Sequence, residues 1–309
     1  MRLPLERKIP FKHARLPARI AKAYFSLRTA GVRKFIFTAT TGRSGTLALA
    51  ELFRAVPGCA SLHEPYPIMN GAALHDAGQG EGRHAAWLYE RVKSINVRRA
   101  AVGHDSYFEA NHLFVKAFIG HAAADLGRRL EVIHLVRDPI DVAMSIYRLE
   151  DEPGTARGNQ WWLDHRAPAN RIAIADALDG DARFAHPFYR CLWYCYEVEA
   201  RIHEWRRRLP ELRMHRFETE WLNDPARVRA LMRDLDLPVE EALLARRIGV
   251  HENARNHQKL RASLPRPLAL DLQDRLLALL AERGLWSAPA ARRAVRGGEI
   301  VDDRCAVPS

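Results

Sequence analysis

The sequence predicts an α/β fold in which helices cover both faces of a central, mostly parallel five-stranded sheet. Three observations carry this expectation. Short apolar runs alternate with helically periodic stretches along most of the 309 residues, the pattern of a parallel sheet buried on both faces. The length suits one α/β domain, and no repeat or low-complexity tract divides it. One apolar run feeds through a glycine-pinched turn straight into a helix, and loops at the carboxyl ends of such strands are where ligands bind.

The first 33 residues stand apart from the domain, which is expected over 34–292, with a tail at 293–309. Between Met1 and Lys34 ten Lys or Arg face one acid, Glu6. Leu16, Ile20, Tyr24 and Leu27 recur at helical spacing among Arg15, Arg19, Lys22 and Arg28, which makes a basic amphipathic helix. Two readings stay open at this point: a membrane-surface contact, or an ordinary helix packed beside the core with its charges solvated. The net charge of +11 calls for an acidic partner, be it a multiply charged nucleotide, an anionic polymer or a membrane. There is no apolar run of transmembrane length and no signal-peptide h-region, so a cytoplasmic protein is expected, with peripheral contact at the inner membrane face as the variant. Four cysteines, Cys59, Cys191, Cys195 and Cys305, lack zinc or disulfide spacing and fit a reducing compartment. Cys191 and Cys195, one turn apart, read as small apolar residues of a packed helix.

The first strand is placed at 34–39. It runs into Thr41-Gly42-Arg43-Ser44-Gly45-Thr46 and then a helix with Leu49, Leu52, Phe53 and Val56 on one face. A helix N-terminus behind a glycine turn aims free N–H groups and the positive end of a dipole at one point, which suits an anion. The turn is P-loop-like but lacks the Walker lysine, and only two residues separate its glycines where nucleotide-hydrolysing loops need four. Further strands are expected at 60–63, 113–118, 131–136 and 212–217. After the fourth, Arg137-Asp138-Pro139 opens a helix in which Asp138 caps and Pro139 fits the first turn. This puts Arg137 at a strand end and Ser145 two turns along the helix, where both can meet a second phosphate. Residues 150–187, rich in Gly, Pro and charge and holding Trp161-Trp162, read as an excursion on the acceptor side. Helices near 225–236, 239–248 and 269–281 complete the domain.

Taken together, Arg43-Ser44-Gly45-Thr46 and Arg137 with Asp141-Val142 and Ser145 resemble the two phosphate motifs of the sulfotransferases that use 3′-phosphoadenosine 5′-phosphosulfate (PAPS). The likeness continues through Arg216-Phe217-Glu218, Asn223-Asp224-Pro225 and Leu235-Asp236-Leu237-Pro238, so it spans roughly residues 34–238. It implies a three-layer P-loop-like fold in which Gly42, Arg43, Ser44, Gly45 and Thr46 hold the 5′-phosphosulfate and Arg137 and Ser145 the 3′-phosphate. Phe217 replaces the usual tyrosine beside the adenine. Lys116 looks like the strand-end lysine that approaches the 5′-phosphate. Two residues later, where the phenol- and steroid-type enzymes carry a catalytic histidine, stands Phe118. Glu64, in His63-Glu64-Pro65, resembles the glutamate of the carbohydrate and tyrosylprotein types and is the expected base, with His63 and His121 as alternatives.

Sulfuryl transfer fits these residues on its own terms. The group carries one negative charge, so cations and N–H groups can neutralise the leaving phosphate and no metal is expected. Trp161 and Trp162 with His165 and Arg166 are candidates for the wall of an acceptor site. Residues 253–261 fall where the family brings a late basic loop to the nucleotide. The expected partners are a nucleotide donor and a carbohydrate or glycolipid acceptor, not nucleic acid. The rivals are a nucleotide-dependent kinase and a non-catalytic binder of acidic polymer or membrane.

Overall fold

A computed structural model describes residues 15–248 and 260–286. Its five strands are β1 (Lys34–Ala39), β2 (Cys59–His63), β3 (Ser106–Ala110), β4 (Leu130–Val136) and β5 (Arg213–Glu218). They form a wholly parallel sheet in the order β2-β3-β1-β4-β5. The described helices are α1 (Arg15–Arg28), α2 (Thr46–Phe53), α3 (Ala72–Gly78), α4 (Arg83–Leu88), α5 (Ser94–Ala101), α6 (Ile119–Leu126), α7 (Pro139–Tyr147), α8 (Ala175–Gly180), α9 (Phe188–Arg208), α10 (Pro225–Asp234), α11 (Glu241–Arg247) and α12 (Arg266–Glu282). None of them is long and apolar enough to cross a membrane.

Period-two alternation along the strands divides the interior into two cores. Phe35, Phe37, Tyr107, Leu130 and Val132 face one side, toward α9 and the helical turns before α6. Ile36, Phe108, Ile133, Leu135 and Phe217 face the other, toward α2 and α10. The sheet is thus the middle of three layers. Cys191 and Cys195 are buried on α9, as their spacing predicts. Residues 150–187 are no appendage, because Trp162, Leu163, Ile172, Ile174, Leu178 and Phe184 all join the first core.

The third strand is a correction. Residues 113–118 are helical: Phe114–Phe118 form a wide turn continuous with α6. Phe114 and Phe118, four residues apart, meet edge-on at 5.2 Å, and Phe114 stacks on Phe37 at 4.8 Å. The strand between β1 and β2 is instead Ser106–Ala110, which carries a charged residue, Glu109, in its buried centre. Glu109 is neutralised by Lys93, just before α5, at 2.6 Å, with both side chains fully buried.

Candidate active site

The turn after β1 adopts left-handed backbone at Gly42 (φ 86°), Arg43 (φ 57°) and Gly45 (φ 77°). Glycine is needed at two of these positions for space as well as torsion. A Cβ on Gly42 would come within 3.0 Å of the His112 ring, and one on Gly45 within 3.0 Å of Leu222. α2 has no side-chain cap on its first N–H groups, which leaves them available to an anion.

The carbonyls from Thr41 to Ser44 are all engaged by side chains, and that of Gly45 by Leu49 N of α2. The Thr41 carbonyl accepts from Tyr194 Oη and, at 3.4 Å, from Lys116 Nζ. That of Gly42 lies 2.9 Å from the hydroxyls of both Thr41 and Ser44. Arg137 Nη1 donates to Arg43 O at 2.6 Å, and Thr219 Oγ1 to Ser44 O at 2.9 Å and Val136 O at 3.0 Å. With the negative ends of the peptide dipoles pinned, the N–H ends are what remains for a ligand.

The second phosphate segment reaches the same place. Asp138 caps α7 through Oδ1, which accepts from Ile140 N at 2.7 Å, and Pro139 occupies the first turn. Arg43 Nε then donates to Ser145 Oγ at 2.9 Å. Arg43, Arg137 and Ser145 therefore form one cluster across the carboxyl ends of β1 and β4. Two guanidiniums held together attract an anion, although the Asp151 and Glu64 carboxylates also act on Arg43.

Lys116 arrives from the helical turn rather than from a strand end. It is buried, with Nζ 2.7 Å from His112 Nδ1 and 2.5 Å from Tyr194 Oη. Its cation faces the rings of Trp162 and Tyr194 at 5.7 and 5.0 Å. Burial pushes its pKa well below the ordinary lysine value, against the pull of Glu64. On its other side His112 Nε2 lies 3.6 Å from Glu64 Oε1. Burial and Lys116 depress the His112 pKa well below 6.5, so the ring is neutral at physiological pH. Burial raises the pKa of Glu64, with Lys116 opposing. Glu64 itself sits in left-handed backbone (φ 46°) after β2.

His112 is the site residue that the sequence reading missed. β3 ends at Ala110 and is followed directly by Asn111-His112, while Phe118 lies in the core. A histidine two residues past a strand was the available signal, hidden by the misplaced strand. Of the alternatives, His63 is at the same site, its Nε2 3.1 Å from Thr46 Oγ1 at the end of the glycine turn, whereas His121 stacks on Tyr89.

Other expected residues divide. Trp162 is at the site, 5.3 Å from the rings of both His112 and Tyr194, but buried; Trp161 is partly exposed beside it. His165 is buried and bonded through Nε2 to Asp179 at 2.8 Å, which makes it a packing residue rather than part of a wall. Arg166 is tied to Asp164. Phe217 is inside the second core and meets Trp221 edge-on at 5.7 Å. The partly exposed aromatic after β5 is thus Trp221, with the Arg227 guanidinium 4.7 Å from its ring. Of 253–261 only Leu260 and Arg261 lie within the described residues, and Arg261 Nη1 is paired with Glu152. The tail at 293–309 lies outside them. Among the described residues no group of three or more His, Cys, Asp or Glu is placed to hold a metal ion.

No protein-family profile and no curated protein matches the chain. Among solved structures it is similar to the sulfotransferase domain from the curacin biosynthetic pathway, at 15% sequence identity and a TM-score of 0.42, over 84% of this chain and 95% of that one. So distant a likeness assigns no residue.

Proposed function

We propose that the chain is a sulfotransferase that moves the sulfuryl group of PAPS to a hydroxyl of a carbohydrate or glycolipid. The observation that carries this reading is the convergence of Arg43, Arg137 and Lys116 on a turn whose carbonyls from Thr41 to Ser44 are engaged by side chains and whose helix entry has no side-chain cap among the described residues. Such a site stabilises a departing phosphate by charge already in place. Gly42 and Gly45 let the turn take the left-handed backbone that turns its N–H groups outward, and Arg137 with Ser145 suits a second phosphate on the same nucleotide. The kinase alternative is weakened by the missing Gly-Lys-Ser/Thr.

In the reaction the acceptor oxygen bonds to sulfur as the bond from sulfur to the bridging phosphate oxygen breaks. The electron pair leaves with the phosphate toward Arg43 and Lys116, and the acceptor proton passes to a base. Two tautomers give two bases. When Lys116 donates to His112 Nδ1, the ring proton is on Nε2, facing Glu64, and Glu64 is the base that His112 positions. When Lys116 is neutral and accepts from Nδ1, Nε2 is open and His112 is the base. The depressed Lys116 pKa favours carrying this second reading alongside the first. The carbohydrate class rests on the glutamate at the site and on the partly exposed Trp161 next to Trp162, which packs on His112, without His165.

The test is ligand-linked thermal stabilisation by 3′,5′-adenosine bisphosphate against AMP and ATP. A ligand at a hundred times its Kd stabilises by about 2.7 kcal/mol, so the bisphosphate should raise Tm by several degrees and AMP by far less at equal concentration. Preferential stabilisation by ATP with magnesium, accompanied by turnover, would establish the kinase. No shift with any nucleotide would establish a non-catalytic binder.

A further inference from the structure

α1 has its two faces the wrong way round for a helix that belongs only to this domain. The inward side is mixed and carries little apolar surface beyond the partly buried Phe25. Ala18 is buried, Lys22 Nζ bonds Asp125 at 2.7 Å, and after the helix Thr29 is buried with its carbonyl accepting from Arg129 Nη1 at 2.9 Å. The outward side is apolar: Leu16 is 68% exposed, Ile20 62%, Tyr24 54% and Leu27 79%. At about 100° per residue these four fall within an arc of about 80°. Arg19 lies about 60° to one side of that arc and Arg28 about 40° beyond the other, and both are exposed. A helix packed beside the core would turn this stripe inward. Scattered exposed apolar residues are ordinary, but a contiguous stripe marks a binding surface.

We propose that α1 seats this protein on an anionic lipid surface, with Leu16, Ile20, Tyr24 and Leu27 at the acyl boundary and Arg19 and Arg28 among the headgroup phosphates. Charge decides the occupant. A second copy laid on the same stripe would bring Arg19 and Arg28 against themselves. Residues 1–14 carry Arg2, Arg7, Lys8 and Lys12 against Glu6 alone, so they repel the rim of the stripe instead of complementing it. Anionic headgroups over an acyl layer match both the apolar arc and its basic flanks, and the basic preceding residues add to the same attraction. This proposal does not depend on the reaction catalysed.

Sedimentation of the full chain with phosphatidylcholine vesicles, and with vesicles that also contain phosphatidylglycerol, tests it. The wild type should pellet with the anionic vesicles at least tenfold more strongly than with the neutral ones, and added salt should weaken the binding. Leu16→Ser/Ile20→Ser/Leu27→Ser should abolish pelleting while leaving the urea midpoint unchanged, because these side chains are already in water. Tyr24→Trp should show a blue-shifted emission only on anionic vesicles. Pelleting that survives the triple substitution would overturn the role of the stripe and assign binding to basic residues alone. A wild type that stays in the supernatant would overturn the proposal outright, as would a concentration-dependent dimer that the triple substitution dissolves.

Discussion

Replacing Lys93 by Met should cost this protein about 3–5 kcal/mol, the usual penalty for breaking a buried ion pair from one side. Lys93 Nζ lies 2.6 Å from Glu109 Oε1 and 3.1 Å from Pro65 O, and neither charged side chain has any exposed surface. Without the ammonium, Glu109 keeps two neutral donors, Tyr107 Oη at 2.6 Å and Asn111 Nδ2 at 2.9 Å. The reverse change is worse. Glu109→Leu leaves the buried Lys93 amine without its counter-charge, donating to the Pro65 carbonyl, and takes an acceptor from Tyr107 and Asn111, which adds about 1–3 kcal/mol for each orphaned group. The double variant Lys93→Met/Glu109→Leu should lose much less than the sum, because no unpaired charge remains. Urea unfolding followed by circular dichroism measures all three, and thermal scans should show Lys93→Met lower by on the order of 10 °C. A loss under about 1 kcal/mol for Lys93→Met, or strict additivity in the cycle, would refute the reasoning. The pair bears on the site because Pro65 follows Glu64 and Asn111 precedes His112. Each variant that still folds should therefore lower kcat more than it raises KM.

The Arg137→Ala variant should raise the Kd for 3′,5′-adenosine bisphosphate by roughly tenfold or more and leave that for AMP nearly unchanged; calorimetric titration showing equal losses would remove the 3′-phosphate assignment. Glu64→Gln should keep nucleotide affinity while turnover falls about a hundred- to ten-thousandfold, and normal turnover would pass the base role to His112. The same variant should be more stable than wild type at neutral pH. Burial raises the folded-state pKa of Glu64 above 4.5, so its contribution is fully present below the unfolded value and is lost as pH rises through the folded one; the Tm difference should close below pH 4.5. His112, His165 and His203 have the opposite sign. Burial holds their folded pKa values below 6.5, so the unfolded chain takes up protons first and Tm should fall as pH drops below 6.5; a flat Tm from there to pH 5 would contradict it.

Four strands were legible because their apolar runs are local signals. The Asp138-Pro139 helix start was legible for the same reason, being written in two adjacent residues. β3 was not, since its central Glu109 is tolerable only through Lys93, sixteen positions away in sequence and absent from any local pattern. The run from Leu113 to Phe118 has strand composition, yet its phenylalanines pack at helical spacing on Phe37. That one displacement carried Lys116 to a strand it does not occupy and hid His112. For α1 the period was readable and the direction was not, because periodicity fixes a stripe without saying which way it faces. His165 was singled out by its chemistry and Phe217 by the family resemblance, and both side chains are buried.

The engaged carbonyls of the glycine turn have a consequence for how phosphate affinity arises during folding. Apart from the Gly42 carbonyl, served within the turn by Thr41 and Ser44, their donors come from Tyr194 on α9, Lys116 before α6, Arg137 after β4 and Thr219 after β5. The first of the turn's partners from downstream is thus made 75 residues later in the chain and the last 175. A peptide containing only β1, the turn and α2 would have every residue of the motif and none of these restraints, so its carbonyls would compete with its N–H groups for the approach to any anion. Phosphate affinity should accordingly be acquired last, with the closure of the sheet by β5, and measuring it on truncated chains would report the completeness of the fold rather than the presence of the motif.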